Sequence, residues 1–443
     1  MNNFLNKMEK YFVPIAGKLG SQRHLVAIRD GFVSIMPLVI AGAFAVLING
    51  LPIPVYQKFM ASIFGETWTV FGGNIWTASF AIMSLLVVIT ISYHLAKSYD
   101  ADGVIAAVMA LGSLIMLTNP TEDGSGIPFK WAGGTGLFVA IIVALVVTEI
   151  FVKFSKSEKL IIKMPEGVPP AVSKSFAALF PVMITVAVIS MIKVLLGLVG
   201  VTDIQALIYD VLQKPLAGVA NTLGSAIAIV LFNHIAWFFG LHGSNILEPV
   251  MQAVYLPALD ANIKAFQAGA AIPNIVTKPF FDCFVYMGGS GVTICLIGAI
   301  FIASYRRKSK NKAYQSMANI SAAPGIFNIN EPIIYGLPIV LNPIFLVPFI
   351  LAPLVLTIIS YLAIASGIVP PTVAMVPWIT PPIISGWLVT GGSLMGVLLQ
   401  IINLTIGLLI YYPFIIMAER IDAKKSLTNT TKIENSKDKK LEI

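Results

Sequence analysis

The sequence predicts an all-α polytopic membrane protein, with about ten transmembrane helices, re-entrant hairpins and an amphipathic surface helix. Three observations carry that prediction. The first is composition: the 443 residues are 57% hydrophobic and only 11% charged, with mean hydropathy +0.86, whereas soluble domains are about a quarter charged. The second is a series of runs without Asp, Glu, Lys or Arg, among them Gly31 to Gln57, Thr67 to Ala96, Pro215 to Leu247 and Pro332 to Ala418. A helix needs about 20 such residues to cross a bilayer core. The runs lack the alternation of polar and apolar residues that a membrane barrel requires, which leaves helices as the structure that satisfies every backbone group in lipid. The third is the placing of basic residues, which sets orientation.

Residues 1–24 place Phe4, Met8, Ile15 and Leu19 opposite Lys7, Lys10 and Lys18, the pattern of a helix lying on a membrane surface. No cleavable signal peptide is visible there. Residues 25–200 form an N-terminal transmembrane half and residues 201–420 a C-terminal half. The polar, lysine-rich residues 421–443 are expected to be a disordered tail. Lys and Arg accumulate on the cytoplasmic side of membrane proteins, so both termini, the loop from Lys153 to Lys174 and the stretch Arg306 to Lys312 are expected to be cytoplasmic. The net charge of +8 is then a topology signal, and the partner it implies is a lipid bilayer rather than nucleic acid. Counting crossings from these anchors requires one more between Leu247 and Asp282. That stretch contains Glu248, Asp260, Lys264, Lys278, Pro257, Pro273 and Pro279, so it is expected to be irregular and to line an aqueous cavity.

Two clusters carry chemistry. Glu331 is the only charged side chain between Lys312 and Glu419, and a carboxylate at membrane depth is costly unless it faces water or a polar partner. Asn328 and Asn330 precede it, and Gly325, Pro332, Gly336 and Pro338 break helices around it, the pattern of a re-entrant hairpin. The competing interpretation is a loop glutamate with apolar neighbours. The second cluster is Asn233, His234, Trp237, His242, Gly243, Ser244 and Asn245. It combines flat aromatic faces, which stack on sugar C–H surfaces, with planar polar groups, which grip hydroxyls. Either histidine could instead be structural. No zinc pattern, Walker motif or dinucleotide fingerprint accompanies these residues, so no metal or cofactor is expected. Cys283 and Cys295 fall in or beside an apolar run and are expected to be buried thiols.

The segments Ile28 to Gly31, Met164 to Val172, Gly240-Leu241-His242-Gly243, Gly288-Gly289-Ser290-Gly291, Asn330-Glu331-Pro332-Ile333-Ile334-Tyr335-Gly336-Leu337-Pro338 and Pro377 to Pro382 together resemble one family. It is the EIIC permease of the bacterial phosphotransferase system, in its lactose/cellobiose/chitobiose branch. The resemblance runs from the N-terminal helix to about Arg420. It implies a homodimer in the bacterial plasma membrane that binds a β-linked disaccharide, of diacetylchitobiose or cellobiose type, at mid-membrane. The sugar's 6-hydroxyl would be presented to a phosphocysteine on a separate EIIB protein, itself charged through EIIA, HPr and EI. By the same resemblance Glu331 and His242 hold hydroxyls at the reacting end, with Asn330, Asn245 and Trp237 or Trp378 forming the walls. Neither cysteine of this chain lies in a phosphate-cradling loop, so the phosphoryl donor must be another chain. An ion-coupled secondary sugar transporter is the alternative, because it too has broken helices and an intramembrane carboxylate.

Overall fold

Where no water can reach, backbone N–H and C=O groups must pair within their own segment, and the apolar runs are helical for that reason. The structure, a computed structural model, describes residues 14–441 except Ala16, Pro52, Ser125, Glu166, 308–311, Pro338, Val340 and Leu341. Most of the expected surface helix, residues 1–13 and 16, lies outside the described residues. The helices that position the site are α1 (Arg23–Gly50), α2 (Met83–Lys97), α3 (Gly103–Leu117), α4 (Leu137–Ser155), α5 (Leu179–Leu198), α6 (Leu223–Phe238) and α7 (Gly243–Gln267). They continue with α8 (Thr293–Arg307), α9 (Lys312–Ile326), α10 (Glu331–Gly336), α11 (Pro343–Ala365), α12 (Ile384–Val389) and α13 (Leu394–Leu441). Among the described residues there is no strand. Six helical stretches of these are long and apolar enough to cross a membrane, or seven if Ile204–Ala220 and α6, bent by 80° from each other, make one broken span.

Two contact units divide the chain. The first comprises residues 1–225, 244–278 and 371–376. Its core is built from α1, α2, α3 and α4, with Phe32, Val39, Val87, Ile91, Ala110 and Ala144 fully buried. Helices surrounded by lipid gain little from hiding apolar surface and associate instead through close packing, which favours small residues at the contact. Gly31 shows this: a Cβ there would lie 2.5 Å from Ile91 Cγ1. Helix α3 starts at Asp102, whose carboxylate accepts the Val104 and Ile105 N–H groups at 3.0 and 3.1 Å, satisfying donors that the helix itself cannot.

The sequence predicts a break at residue 200, but α7 belongs with the first unit because Leu256, Leu259 and Ile263 pack into its core. The expectation of irregular backbone after Leu247 holds only beyond Gln267; before it the chain is a 25-residue helix that accommodates Pro249 and Pro257. Its Gln252, Asp260 and Asn262 side chains turn inward. Asp260, 2% exposed, is met by Lys264 Nζ at 2.6 Å, and Asn262 Nδ2 donates to the Thr372 carbonyl at 2.9 Å.

The second unit comprises residues 226–243, 279–370 and 377–443. Trp237, Leu296, Ile300, Phe345, Phe349, Leu356 and Tyr411 form its core, and both cysteines are buried thiols. Helix α13 carries polar side chains that satisfy irregular backbone on its neighbours. Gln400 Nε2 donates to the Cys283 carbonyl at 2.6 Å, and Gln400 Oε1 accepts the Ile383 and Gly386 N–H groups at 2.5 and 3.0 Å. Asn403 Nδ2 donates to the Phe284 carbonyl at 3.0 Å. Backbone that leaves the helical ladder at membrane depth needs such partners. The helical backbone of α13 runs on to Leu441, across residues for which composition predicts disorder; Lys, Glu and Leu there are good helix formers.

Candidate functional site

The site is built on three non-helical segments of the second unit. The first is the turn after α6. Gly240 takes φ +78°, a left-handed conformation that glycine adopts without penalty, and the reversal sets His242 back against the helix it has just left. The imidazole and the Trp237 indole face each other with ring centroids 4.3 Å apart at 49°. Gly243 closes the turn, since a Cβ there would collide with the Asn233 carbonyl.

The second segment is Gly288-Gly289-Ser290-Gly291, in which all three glycines have φ between +78° and +90°. Tyr411 Oη donates to the Gly291 carbonyl at 2.5 Å. Asn233 Nδ2 donates to Ser290 Oγ at 3.1 Å and Asn330 Nδ2 to the Ser290 carbonyl at 3.1 Å. The third is the turn between α9 and α10. It passes through Asn328 at φ +62° and delivers Glu331 to the first position of the short helix α10.

These turns bring two predicted residues together. His242 Nε2 and Glu331 Oε1 are 3.9 Å apart, with side chains 39% and 47% exposed. That separation is too long for a direct hydrogen bond, and both groups keep open faces toward which a polyhydroxylated ligand can turn. Trp237 is buried, 2% exposed, beneath the imidazole. Trp378 is 57% exposed, so its indole face is available for stacking. Asn330 is buried with its amide on Ser290, so it supports the site's backbone from below. Asn245 is exposed on the first turn of α7, in the first unit. His234 is structural: Nδ1 lies 2.6 Å from the Val230 carbonyl, and the ring packs between Tyr286 and Phe349. Sequence reasoning passed over the work of Asn328, although a potential αL residue between two helix breakers was a usable signal. Among the described residues, no group of three or more His, Cys, Asp or Glu could hold a metal ion.

Apolar spans, irregular backbone satisfied by buried amides and a half-open carboxylate–imidazole pair beside an indole define an integral membrane protein with an internal polar site. Comparison with known proteins gives the family. Residues 29–353 match the family described as Phosphotransferase system, EIIC. The chain is 39% identical over 427 residues to the putative permease IIC component YwbA of Bacillus subtilis (strain 168), covering 94% of this chain and 95% of that protein. It is 39% identical over 446 residues to the PTS system cellobiose-specific EIIC component of Geobacillus stearothermophilus, covering 97% and 98%. It is also similar to the crystal structure of the transporter ChbC, the IIC component from the N,N'-diacetylchitobiose-specific phosphotransferase system. That match has a TM-score of 0.89 and 40% identity, and covers 95% of this chain and 99% of that one. The chain belongs to the EIIC family of sugar permeases of the phosphotransferase system.

Proposed function

We propose that this EIIC binds a β-linked disaccharide of cellobiose or diacetylchitobiose type and presents its 6-hydroxyl to a phosphocysteine on EIIB, coupling transport to phosphorylation. The observation that carries the proposal is the Glu331–His242 pair, 3.9 Å apart and half-exposed beside Trp237, in a chain similar to permeases named for those sugars. The carboxylate accepts hydrogen bonds from sugar hydroxyls, the imidazole accepts or donates according to tautomer, the exposed Trp378 offers a ring face, and Trp237, expected as a wall, is buried and backs the imidazole instead. Asn330 acts through Ser290, and Asn245 follows His242 by three residues.

In the transfer the sugar oxygen attacks phosphorus in line, the S–P bond of the phosphocysteine breaks, and the thiolate leaves. The hydroxyl proton passes to a base for which Glu331 and His242 are the candidates. Positioning and charge stabilisation dominate such a step. Glu331 would repel the incoming phosphoryl group at close range, so its main work is to hold the hydroxyl. EIIA, HPr and EI supply the phosphate through EIIB, the N-terminal half, residues 25–200, pairs two copies, and both termini face the cytoplasm.

Uptake of radiolabelled disaccharide into vesicles tests the proposal. Sugar phosphate should accumulate only when phosphoenolpyruvate and the soluble partner proteins are enclosed. Accumulation of unmodified sugar driven by an ion gradient alone would instead establish a secondary transporter.

A further inference from the structure

We infer that Asn328 is a positioning residue that fixes Trp378 relative to Glu331 through both ends of its side-chain amide; the inference rests on the disaccharide-site reading given above. Gly288 N–H donates to Asn328 Oδ1 at 2.7 Å, while Asn328 Nδ2 donates to the Trp378 carbonyl at 2.6 Å and to the Thr380 carbonyl at 3.0 Å. These partners settle which amide atom is which, because a backbone N–H demands the oxygen and two carbonyls demand the nitrogen. One side chain, 7% exposed, therefore ties together three segments distant in sequence: the Gly288 to Gly291 turn, the loop at Trp378, and the turn that carries Glu331 three residues on.

The backbone explains why asparagine stands here. At φ +62° Gly and Asn are the residues most readily accepted, with Asp next. Gly has no side chain to bridge with. Asp can accept from Gly288 but, ionised, cannot donate to two carbonyls. Asn alone of the three fits the conformation and offers both an acceptor and two donors. The clamp is joined to the other wall of the site through the same glycine turn. Asn233, on the helix that bears Trp237, donates to Ser290 Oγ, and Asn330 donates to the Ser290 carbonyl. Trp237, Glu331 and Trp378 are thus referenced to one turn, and Asn328 links that turn to the Trp378 loop. A stacking indole whose loop is loose must be ordered anew by each ligand, which weakens binding.

The test uses the full-length protein labelled with 5-fluorotryptophan, in wild-type, N328D and N328G forms, with the Trp378 fluorine resonance assigned from Trp378→Phe. N328D keeps the shape and the Gly288 contact while removing the two donated bonds; N328G keeps the backbone conformation and removes the clamp. Both should shift and broaden the Trp378 line while the Trp76 and Trp131 lines of the other unit stay in place. Both should weaken equilibrium binding of cellobiose or diacetylchitobiose, whichever the wild type binds, by about 2- to 12-fold, the cost of ordering a freed indole on binding. A Trp378 line at its wild-type position in both variants overturns the inference, and so does a displaced line with wild-type affinity. If N328D does not elute as native protein, N328G decides. A wild-type protein that binds neither sugar defeats the disaccharide-site reading instead, and the Trp378 line alone then decides whether the clamp exists.

Discussion

At the scale of single residues, the roles proposed for Glu331 and His242 in holding a hydroxyl can be tested by substitutions that separate charge from shape. Glu331→Gln keeps size and most hydrogen bonding but removes the charge, so disaccharide affinity should fall by about 1 to 3 kcal/mol, roughly 5- to 150-fold. Isothermal titration on monodisperse protein checks this, and unchanged affinity together with normal transport returns Glu331 to a structural role. His242→Ala should impair phosphorylation more than binding if the imidazole orients the reacting oxygen.

A second polar group lies in the first unit, around Tyr99, which stands just beyond the end of α2 at Lys97. Tyr99 Oη donates to Glu149 Oε1 at 2.5 Å, and His24 Nε2 is 2.8 Å from the same oxygen. Glu149 as acceptor, then burial, hold the Tyr99 hydroxyl above its ordinary value of 10.0, against the opposing pull of Arg23. A raised folded value means that the contact stabilises fully below about pH 10 and is lost as pH rises through the folded value. Tyr99→Phe should therefore lower thermal stability at neutral pH by about 1 kcal/mol, the low figure reflecting a partly wet site. The difference from wild type should close in melting curves taken at increasingly alkaline pH, and a gap that persists there would assign the effect to packing.

At the scale of elements, the glycine turn from Gly288 to Gly291 is the part on which the site's geometry depends. Gly289 has φ +90°, and a Cβ there would stand 2.7 Å from Asn330 Cγ and 2.8 Å from the Asn328 carbonyl. Alanine would incur backbone strain of about 1 to 3 kcal/mol and in addition push away the segment that carries Glu331. Gly65 provides the control: its φ is +81° with nothing within 4 Å of the built Cβ, so alanine there meets the strain alone. Gly289→Ala should lose disaccharide binding at least tenfold while Gly65→Ala retains it, as equilibrium binding would show. Equal losses would mean that strain, not displacement of the site, is what matters.

At the scale of the whole molecule, the proposed transfer from EIIB would require a docking face where the sugar emerges. The basic stretch from Arg306 to Lys312 is the candidate contact, and clustered surface charge acts chiefly on association rate. Reversing Arg306 and Arg307 to Glu should slow phosphorylation by purified phospho-EIIB at low ionic strength and leave disaccharide binding unchanged. A rate equal to wild type at low salt would remove this stretch from the docking face and leave its arginines to set topology.

The class of fold was legible in the chain alone, because hydropathy, missing charges and basic clusters act through the solvent and need no tertiary contact to be read. The sequence also marked Glu331, since an isolated carboxylate in a long apolar run is conspicuous whatever surrounds it, and it put His242 and Trp237 in one cluster because they are neighbours in the chain. It took the folded chain to show that His242 and Glu331, far apart in sequence, stand 3.9 Å from each other, that His234 is a core residue, and that α7 packs with the N-terminal helices. The fold alone showed the Asn330 amide turned to Ser290 and the Asn328 amide bridging three segments. The physical reason is that apolar and charged residues announce their environment one at a time. An amide can serve solvent, ligand or backbone, and which it serves depends on partners that only the folded chain brings within about 3 Å.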